Sequence, residues 1–154
     1  MDHQTDKDGY CWYDNDQSTY GNTYGALYNW YVVQPDNICP TGWHLPTDAE
    51  WTTLVDHLGG ASVAGGKMKE TGLAHWRDPN EGATNESGFT ARPGGGRPYV
   101  YGHFTDLETI GAWWSQPEPG ELSPKSVSIS FNNKSVERGT AFSTYGHSVR
   151  CIKD

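Results

Sequence analysis

The chain has 154 residues, enough for one domain with a substantial core, and it combines a charged fraction of only 19% with seven Trp, nine Tyr, four Phe and nineteen Gly. This composition predicts a single domain whose core is built from a few large aromatic side chains joined by many turns. The net charge is −8 and the basic residues are scattered along the chain, which argues against a nucleic-acid partner. No run approaches the roughly 20 apolar residues of a membrane helix, which argues against direct membrane insertion.

A first helix is predicted from Tyr20 to Val33. Aromatic and aliphatic residues recur there at the spacing of one helical face: Tyr24, Leu27, Tyr28 and Tyr31. We expect Pro35 and Asp36 to end this helix.

A second helix is predicted behind the capping box Thr47-Asp48-Ala49-Glu50. The Thr hydroxyl and the Glu carboxylate can each satisfy an otherwise unpaired amide of the first turn. An apolar stripe follows: Trp51, Leu54, Val55 and Leu58. Gly59 and Gly60 are suited to the C-terminal end of the helix.

After Gly60 the sequence predicts short strands and long loops. The strand candidates are Phe89 to Ala91, Ala112 to Ser115, Ser126 to Phe131 and Ser148 to Ile152. In the third of these Val127, Ile129 and Phe131 alternate with serines, which predicts one buried and one solvated face. The Gly- and Pro-rich stretches 92–98 and 116–124 are interpreted as loops. Helices followed by an antiparallel sheet give an α+β class.

Three features of the sequence bear on cofactor and metal binding. Gly60 to Met68 is not a phosphate-binding loop, because its glycine spacing is wrong and Met68 stands where Ser or Thr is needed. No pair of His residues has a zinc-binding spacing, and His44 is interpreted as a buried or half-buried packing residue. The run Asp14-Asn15-Asp16 could supply oxygen ligands to a structural calcium ion, but a solvated turn is the favoured interpretation.

The pair Trp113-Trp114 is the most informative feature of the C-terminal half. Alternation along a strand makes it difficult for both side chains to face one core. One is predicted to be inside, while the other either caps a second small core or lies on an exposed binding surface. The accompanying residues of that surface would be Gln116, Glu118, Asn132, Asn133, Arg138 and Tyr145. For the pair taken alone, the structural interpretation is favoured.

Several segments in order resemble the Fibrobacter succinogenes major paralogous domain. They are YGALYNWY, CPTGWHLPTDAEW, AGGKMKETG, NESGFTARPGGGR, AWWS and SVRCIKD, and they cover nearly the whole chain. That family is similar to the formylglycine-generating-enzyme (sulfatase-modifying-factor) branch of the C-type-lectin-like fold. The resemblance implies a compact α+β domain with two helices packed on a twisted, irregular antiparallel sheet with long loops.

The resemblance also implies roles for the three cysteines. It suggests a disulfide between Cys39 and Cys151, which leaves Cys11 unpaired. The enzyme branch uses a pair of reactive cysteines upstream of its terminal strand, and the segment from Pro40 to Arg150 contains no cysteine. We therefore expect no catalytic residue and no enzymatic activity, with a sulfatase-modifying enzyme as the less favoured alternative.

The expected function is that of a ligand-binding domain. Variable proteins of diversity-generating retroelements share this fold, and by that resemblance the binding face maps to Ser115 to Tyr145. We expect a protein or glycan ligand contacted by Trp114 and the polar and aromatic residues grouped with it above, and we expect a monomer. A structural or adhesive module of a larger surface protein is the alternative. The expected location is the cell surface or the medium, although Met1 to Gln4 lacks signal-peptide features.

Overall fold

The computed structural model describes residues 9–34, 37–98 and 102–154. Within these ranges the chain folds as helices packed on a five-stranded sheet, with two small two-stranded sheets beside it. The α+β class predicted from the sequence is confirmed, and the arrangement is compatible with a C-type-lectin-like fold. The expected end of the first helix at Pro35 and Asp36 lies outside the described residues.

The N-terminal region does not form the single helix predicted from Tyr20 to Val33. Its elements are β1 (Tyr10–Cys11), a 3-10 turn (Tyr13–Asn15), a π-helical turn (Gln17–Gly21), α1 (Asn22–Tyr24), β2 (Leu27–Tyr28) and α2 (Trp30–Val33). Gly25 has a φ of 76°, which ends α1, and the two residues of β2 pair with β1. The Asn29 side chain then accepts a hydrogen bond from the Val32 amide at 3.3 Å and starts α2. The helical spacing was genuine, but turn-forming residues inside it divide the segment.

The second predicted helix is confirmed as α3 (Asp48–His57), which follows β3 (Trp43–His44). The Glu50 amide donates to Thr47 Oγ1 at 3.1 Å, and the Thr47 amide donates to Glu50 Oε2 at 2.9 Å. Gly59 and Gly60 have φ values of 101° and 95° and end the helix as expected.

A further helix, α4 (Ala61–Met68), occupies a segment for which the sequence predicted strands and loops. Two adjacent glycines give it a smooth side that lies against other backbone. The Gly66 amide donates to the Lys134 carbonyl at 3.1 Å. A Cβ added to Gly65 would overlap the Ser135 carbonyl, whose carbon would be 2.8 Å away. Close packing of backbones, which composition does not indicate, therefore stabilises this helix.

The large sheet has the strand order β5-β4-β6-β7-β8. Its strands are β4 (Gly94–Gly96), β5 (Thr105–Leu107), β6 (Ile110–Ser115), β7 (Lys125–Ser130) and β8 (Val136–Thr140). Neighbouring strands are antiparallel except β4 and β6, which are parallel. The expected antiparallel sheet is thus mixed, and stretch 92–98, predicted as a loop, contains β4.

The four strand candidates have different outcomes. Ala112 to Ser115 is confirmed within β6 and Ser126 to Ser130 within β7, where Val127 and Ile129 are buried as predicted. Phe131 lies just past the strand and is only partly buried. Phe89 to Ala91 contributes only a bridge at Ala91. Ser148 to Ile152 contributes a bridge between Ser148 and Trp113 and the start of β9 (Ile152–Lys153), which pairs with β3.

Two hydrophobic cores lie on opposite faces of β6. The larger contains Trp51, Val55, Met68, Trp76, Trp113 and Val127 among its buried residues. The smaller contains Trp30, Val33, Leu45 and Trp114. Successive residues of a strand point to opposite faces, so the adjacent tryptophans serve separate cores.

A disulfide joins Cys39 to Cys151 across a sequence separation of 112. It connects the segment before α3 to the C-terminal end of the chain. Cys11 is a free thiol. Both outcomes agree with the pairing implied by the family resemblance. No helix in the described part of the chain is long and apolar enough to cross a bilayer.

Candidate functional site

Two segments leave the same end of the β7–β8 hairpin and form an exposed surface. Lys125 pairs with Thr140 at the end of the ladder, and the Ala141 amide donates to the Pro124 carbonyl at 3.0 Å. Residues 116–124 and 141–145 therefore adjoin where they leave the hairpin, and we term them the strand-end surface. This surface lies within the segment 115–145, to which the family resemblance maps the binding face.

Three of the predicted contact residues lie on the strand-end surface. The Gln116 backbone is fixed to the approach of α3, because its amide donates to the Pro46 carbonyl at 2.9 Å. Glu118 is exposed. The ring of Tyr145 lies 5.3 Å from that of Phe142 and packs on the smaller core. Backbone pairing thus fixes the position of Gln116, and the smaller core supports Tyr145.

Sequence reasoning missed the most exposed apolar residues of the strand-end surface. Leu122 is 95% exposed and Phe142 is 70% exposed. They lie in loops without periodic patterns, so no sequence signal distinguished them from core residues. Scattered exposed apolar side chains are ordinary, but two on neighbouring segments form a candidate contact patch.

Arg138 lies beside this surface and joins the sheet to α3. Its Nη2 atom is 2.6 Å from Asp48 Oδ2, and its Nη1 atom donates to Thr52 Oγ1 at 2.6 Å. Both partners of the ion pair have side chains that are 26% exposed. The guanidinium is therefore engaged within the fold while remaining accessible at its edge.

Trp114 requires a correction as a ligand contact. Its side chain is 0% exposed, its ring centroid lies 5.3 Å from that of Trp30, and its indole N–H donates to the Tyr28 carbonyl at 2.6 Å. A fully buried side chain cannot touch an external ligand. Of the two interpretations left open for the second tryptophan, a second small core is right.

Asn132 and Asn133 are not brought to the strand-end surface. They follow β7 at its other end, where Ile110 pairs with Ser130, which is roughly 17 Å along the strand at about 3.4 Å per residue. The Asn133 side chain accepts a hydrogen bond from the Ser135 amide at 2.9 Å. These two residues shape the β7–β8 turn, and the antiparallel hairpin separates them from the other predicted contacts.

The ammonium group of Lys69 fixes the turn that contains Asn133. This lysine is completely buried, and its Nζ donates to the carbonyls of Glu81, Ser130 and Asn133 at 2.7, 3.1 and 2.9 Å. Three acceptors around one cation satisfy its hydrogen-bonding capacity. Lys69 thereby ties the end of α4 to β7 and to two loops.

His44 connects the C-terminus to the capping box of α3. Its Nδ1 is 2.6 Å from Asp154 Oδ1 and its Nε2 is 2.9 Å from Glu50 Oε1. Hydrogen bonds to Asp154 and then to Glu50 raise the pKa of His44 above its ordinary value. The half-buried position was expected, while the bridging role was not.

The Asp14-Asn15-Asp16 run forms a turn, as the favoured interpretation predicted. Asp14 and Asn15 have φ values of 55° and 57°, and the Asp16 carboxylate accepts hydrogen bonds from Ser18 and Thr19. These hydrogen bonds lower the pKa of Asp16 to about 2. Over the described ranges, no three His, Cys, Asp or Glu side chains are grouped closely enough to hold a metal ion.

A separate cleft of about 330 Å³ lies between the N-terminal turns, the 88–92 loop and the last strand region. Its lining includes Tyr24, Phe89, Arg92, Trp113 and Arg150. These residues come from four distant segments, so no local motif could indicate the cleft. It is distinct from the strand-end surface.

The fold and these surfaces define a class: an α+β domain closed by one disulfide, with two aromatic cores and a loop surface at one sheet end. The chain belongs to the Fibrobacter succinogenes major domain family, whose model matches residues 1–153. No curated protein and no solved structure matches the chain.

Proposed function

We propose that this domain is a non-catalytic binding module that contacts a protein or glycan ligand through the strand-end surface. The observation that carries the proposal is the exposure of Leu122 and Phe142, 95% and 70%, on adjacent segments at one end of the sheet. Exposed apolar side chains rimmed by polar groups are typical of interaction sites. Gln116, Glu118 and Tyr145 supply that polar and aromatic rim.

The framework beneath the surface supports this assignment. Loops carry binding residues most effectively when a rigid scaffold positions them. Here the loops start from paired strands, and Ala141 and Tyr145 pack on the smaller core. Two apolar anchors favour a protein ligand over a glycan, because buried aromatic and aliphatic anchors dominate protein interfaces.

A non-catalytic role is proposed on the chemistry of the cysteines. A sulfatase-modifying enzyme of the related branch needs two reactive cysteines close together. In this chain Cys39 and Cys151 are joined to each other, and Cys11 is the remaining cysteine of the sequence. Conversion of a substrate cysteine to formylglycine, followed as a mass change of a model peptide, would overturn this part of the proposal.

We further propose that the protein functions at the cell surface or in the medium. The disulfide supports this location, because disulfides persist in oxidising compartments. Diversification by a retroelement is a further proposal, and it is tested by the neighbouring DNA. A reverse-transcriptase gene and a template repeat of the 115–145 coding segment are expected there.

The binding proposal is tested with the labelled domain on a glycan array and against a phage-displayed peptide library. Each captured ligand is retested with the double variant Leu122→Ser/Phe142→Ser, which should bind at least tenfold more weakly. Leu73→Ser is the matched control, because Leu73 is also exposed, at 57%, but lies elsewhere on the fold.

Two results would contradict the proposal. Ligand binding that survives the double variant would place the contact on another surface. Capture of nothing from either library would favour the alternative of a structural or adhesive module. Thermal unfolding of both variants should match the wild type, because the altered side chains are exposed.

A further inference from the structure

The cleft between Tyr24, Phe89, Arg92 and Arg150 has an electrostatic character opposite to that of the whole chain. The net charge of the protein is −8. Among the described residues that line the cleft, however, two are Arg and none is Asp or Glu. A concave region lined by one sign of charge concentrates ions of the other sign. Glu70 pairs with Arg92 from outside the lining, at 3.0 Å from Arg92 Nε, so the positive charge that favours an anion is mainly that of Arg150.

Arg92 is held in the cleft wall with much of its hydrogen-bonding capacity unused. Its Nε donates to Glu70 Oε1 at 3.0 Å, and its Nη1 donates to the Thr23 carbonyl at 3.1 Å. A guanidinium has five N–H donors, so these two bonds fix its orientation and leave donors for a ligand. Glu70 is itself held by His75, whose Nδ1 lies 2.6 Å from Glu70 Oε2.

Arg150 is positioned in a different way. Its guanidinium carbon lies 4.5 Å from the ring centroid of Phe89, a cation–π contact that orients the group through its face. The N–H donors at the edge of the guanidinium plane are not consumed by such a contact. A guanidinium group pairs with a carboxylate or phosphate through two parallel N–H···O bonds, and the cleft offers two such groups.

The loop that forms one wall has a strained backbone. Thr90 has a φ of 55°, a conformation that is unusual and strained for a β-branched residue. The Asn85 side chain stabilises this conformation, because it accepts from the Thr90 amide at 2.8 Å and donates to the Thr90 hydroxyl at 3.0 Å. Strain maintained by a dedicated side chain is concentrated at functional sites.

Three aromatic residues contribute to the lining of the cleft, beside small and polar residues. Phe89 meets Trp113 edge to face at 5.5 Å, and Tyr24 contributes from the opposite segment. The volume of about 330 Å³ is at the small end of the range for ligand pockets. The lining therefore suits a small ring-containing molecule better than a bare inorganic ion or an extended chain.

We propose that this cleft is a binding site for a small cyclic carboxylate, such as a uronic acid or an aromatic acid. The carboxylate pairs with the guanidinium groups of Arg92 and Arg150, and the ring of the ligand packs against the aromatic lining. This site lies outside the strand-end surface, so it is independent of the binding module proposed above.

The test uses glucuronate and benzoate as probes of the wild-type protein. Glucose supplies a ring without a carboxylate, and inorganic phosphate supplies an anion without a ring. Binding is followed by NMR through the indole N–H resonance of Trp113 and the side-chain N–H resonances of Arg92 and Arg150. At least one cyclic carboxylate should bind in the millimolar range or tighter, and glucose and phosphate should bind at least tenfold more weakly.

The variant Arg150→Gln should weaken binding of the cyclic carboxylate at least tenfold. Arg77→Gln is the matched control, because Arg77 is an exposed arginine outside the cleft lining, and it should leave binding unchanged. If Arg150→Gln fails to fold, the wild type still provides a test. Raising the salt concentration from about 50 to about 500 mM should weaken binding severalfold, since charge pairing at an open cleft is screened.

Several results would overturn the proposal. If neither carboxylate binds, or if glucose binds equally well, the guanidinium groups do not bind a carboxylate. If phosphate binds equally well, the ring of the ligand does not contribute to the affinity. Equal losses in Arg150→Gln and Arg77→Gln would show that overall charge, and not the cleft, controls the affinity.

Discussion

Replacing Gly65 of α4 by alanine separates two physical effects that predict opposite signs. Alanine is favoured over glycine in a helix by about 1 kcal/mol, so helix propensity alone predicts a more stable protein. The added Cβ, however, would overlap the carbonyl group of Ser135, with its carbon only 2.8 Å away. The carbonyl belongs to the backbone and the Cβ is attached rigidly to it, so neither can rotate away. Removing the overlap therefore requires α4 to move away from the β7–β8 turn.

The expected net effect is destabilisation. Overpacking of this kind costs about 1–3 kcal/mol. A shift of α4 also weakens the hydrogen bonds from the Gly66 amide to the Lys134 carbonyl and from the Thr84 amide to the Gly66 carbonyl, each contributing about 1 kcal/mol. After subtraction of the propensity gain, Gly65→Ala should lower the free energy of unfolding by about 2–4 kcal/mol.

Urea denaturation followed by tryptophan fluorescence measures this difference. The matched control is Gly139→Ala in β8, because a Cβ at Gly139 would meet nothing within 4 Å, and its stability should stay within about 0.5 kcal/mol of wild type or rise slightly. The reasoning is refuted if Gly65→Ala is as stable as the wild type, since the close backbone approach would then not exist.

Three further predictions concern buried groups and the disulfide. Burial lowers the pKa of His147 to about 4, below the value of about 6.5 in the unfolded chain. The free energy of unfolding should therefore be highest above pH 6.5 and fall by about 3 kcal/mol as the pH drops from 6.5 to 4. Urea titrations at each pH measure this dependence, which the variant His147→Gln should lack. Lys69→Met removes the donor to three backbone carbonyls and should lower the free energy of unfolding by about 4 kcal/mol or more, measured by denaturant unfolding. A variant as stable as the wild type would contradict the three hydrogen bonds of the Lys69 ammonium group. The double variant Cys39→Ser/Cys151→Ser should lose about 5 kcal/mol in the chain-entropy model, and reduced wild type should then unfold at the same temperature as the variant.

The features that the sequence predicted correctly depend on local chemistry or on family resemblance. The capping box of α3 involves residues three apart, and the alternation of β7 is visible within six residues. The disulfide between Cys39 and Cys151 was implied by the resemblance and could not be deduced from three cysteines alone. The separation of Trp113 from Trp114 followed from the strand period.

The features that sequence reasoning missed depend on contacts between distant segments. Strand β4 consists of three glycines, Gly94–Gly96, so it has no side-chain pattern to detect. Helix α4 contains adjacent glycines and is stabilised by the loops it touches. The first helix is the opposite case, a predicted element that does not form. Its residues have helical spacing, but Gly25 ends α1 and the Asn29 side chain starts a separate helix, α2.

The candidate sites illustrate the same limit. The contact residues chosen from the sequence lie close along the chain, yet the β7–β8 hairpin carries Asn132 and Asn133 to the end opposite Gln116. The cleft contains Arg92 and Arg150, which are separated by most of the C-terminal half. Proximity in sequence was therefore a poor guide to proximity on the surface.

The disulfide also determines how the domain would respond to mechanical force. If tension were applied between residues 9 and 154, it would pass through the sulfur–sulfur bond from Cys151 to Cys39, and the segment between the two cysteines would carry none. Only about 30 residues on the N-terminal side could then be drawn out, an extension of roughly 100 Å at about 3.4 Å per residue. Helices α3 and α4 and the whole five-stranded sheet lie between the two cysteines and would carry no tension, whereas the smaller core would lose Trp30 and Val33, and residues 141–145 would lose the hydrogen bond from the Trp30 amide to the Ser143 carbonyl.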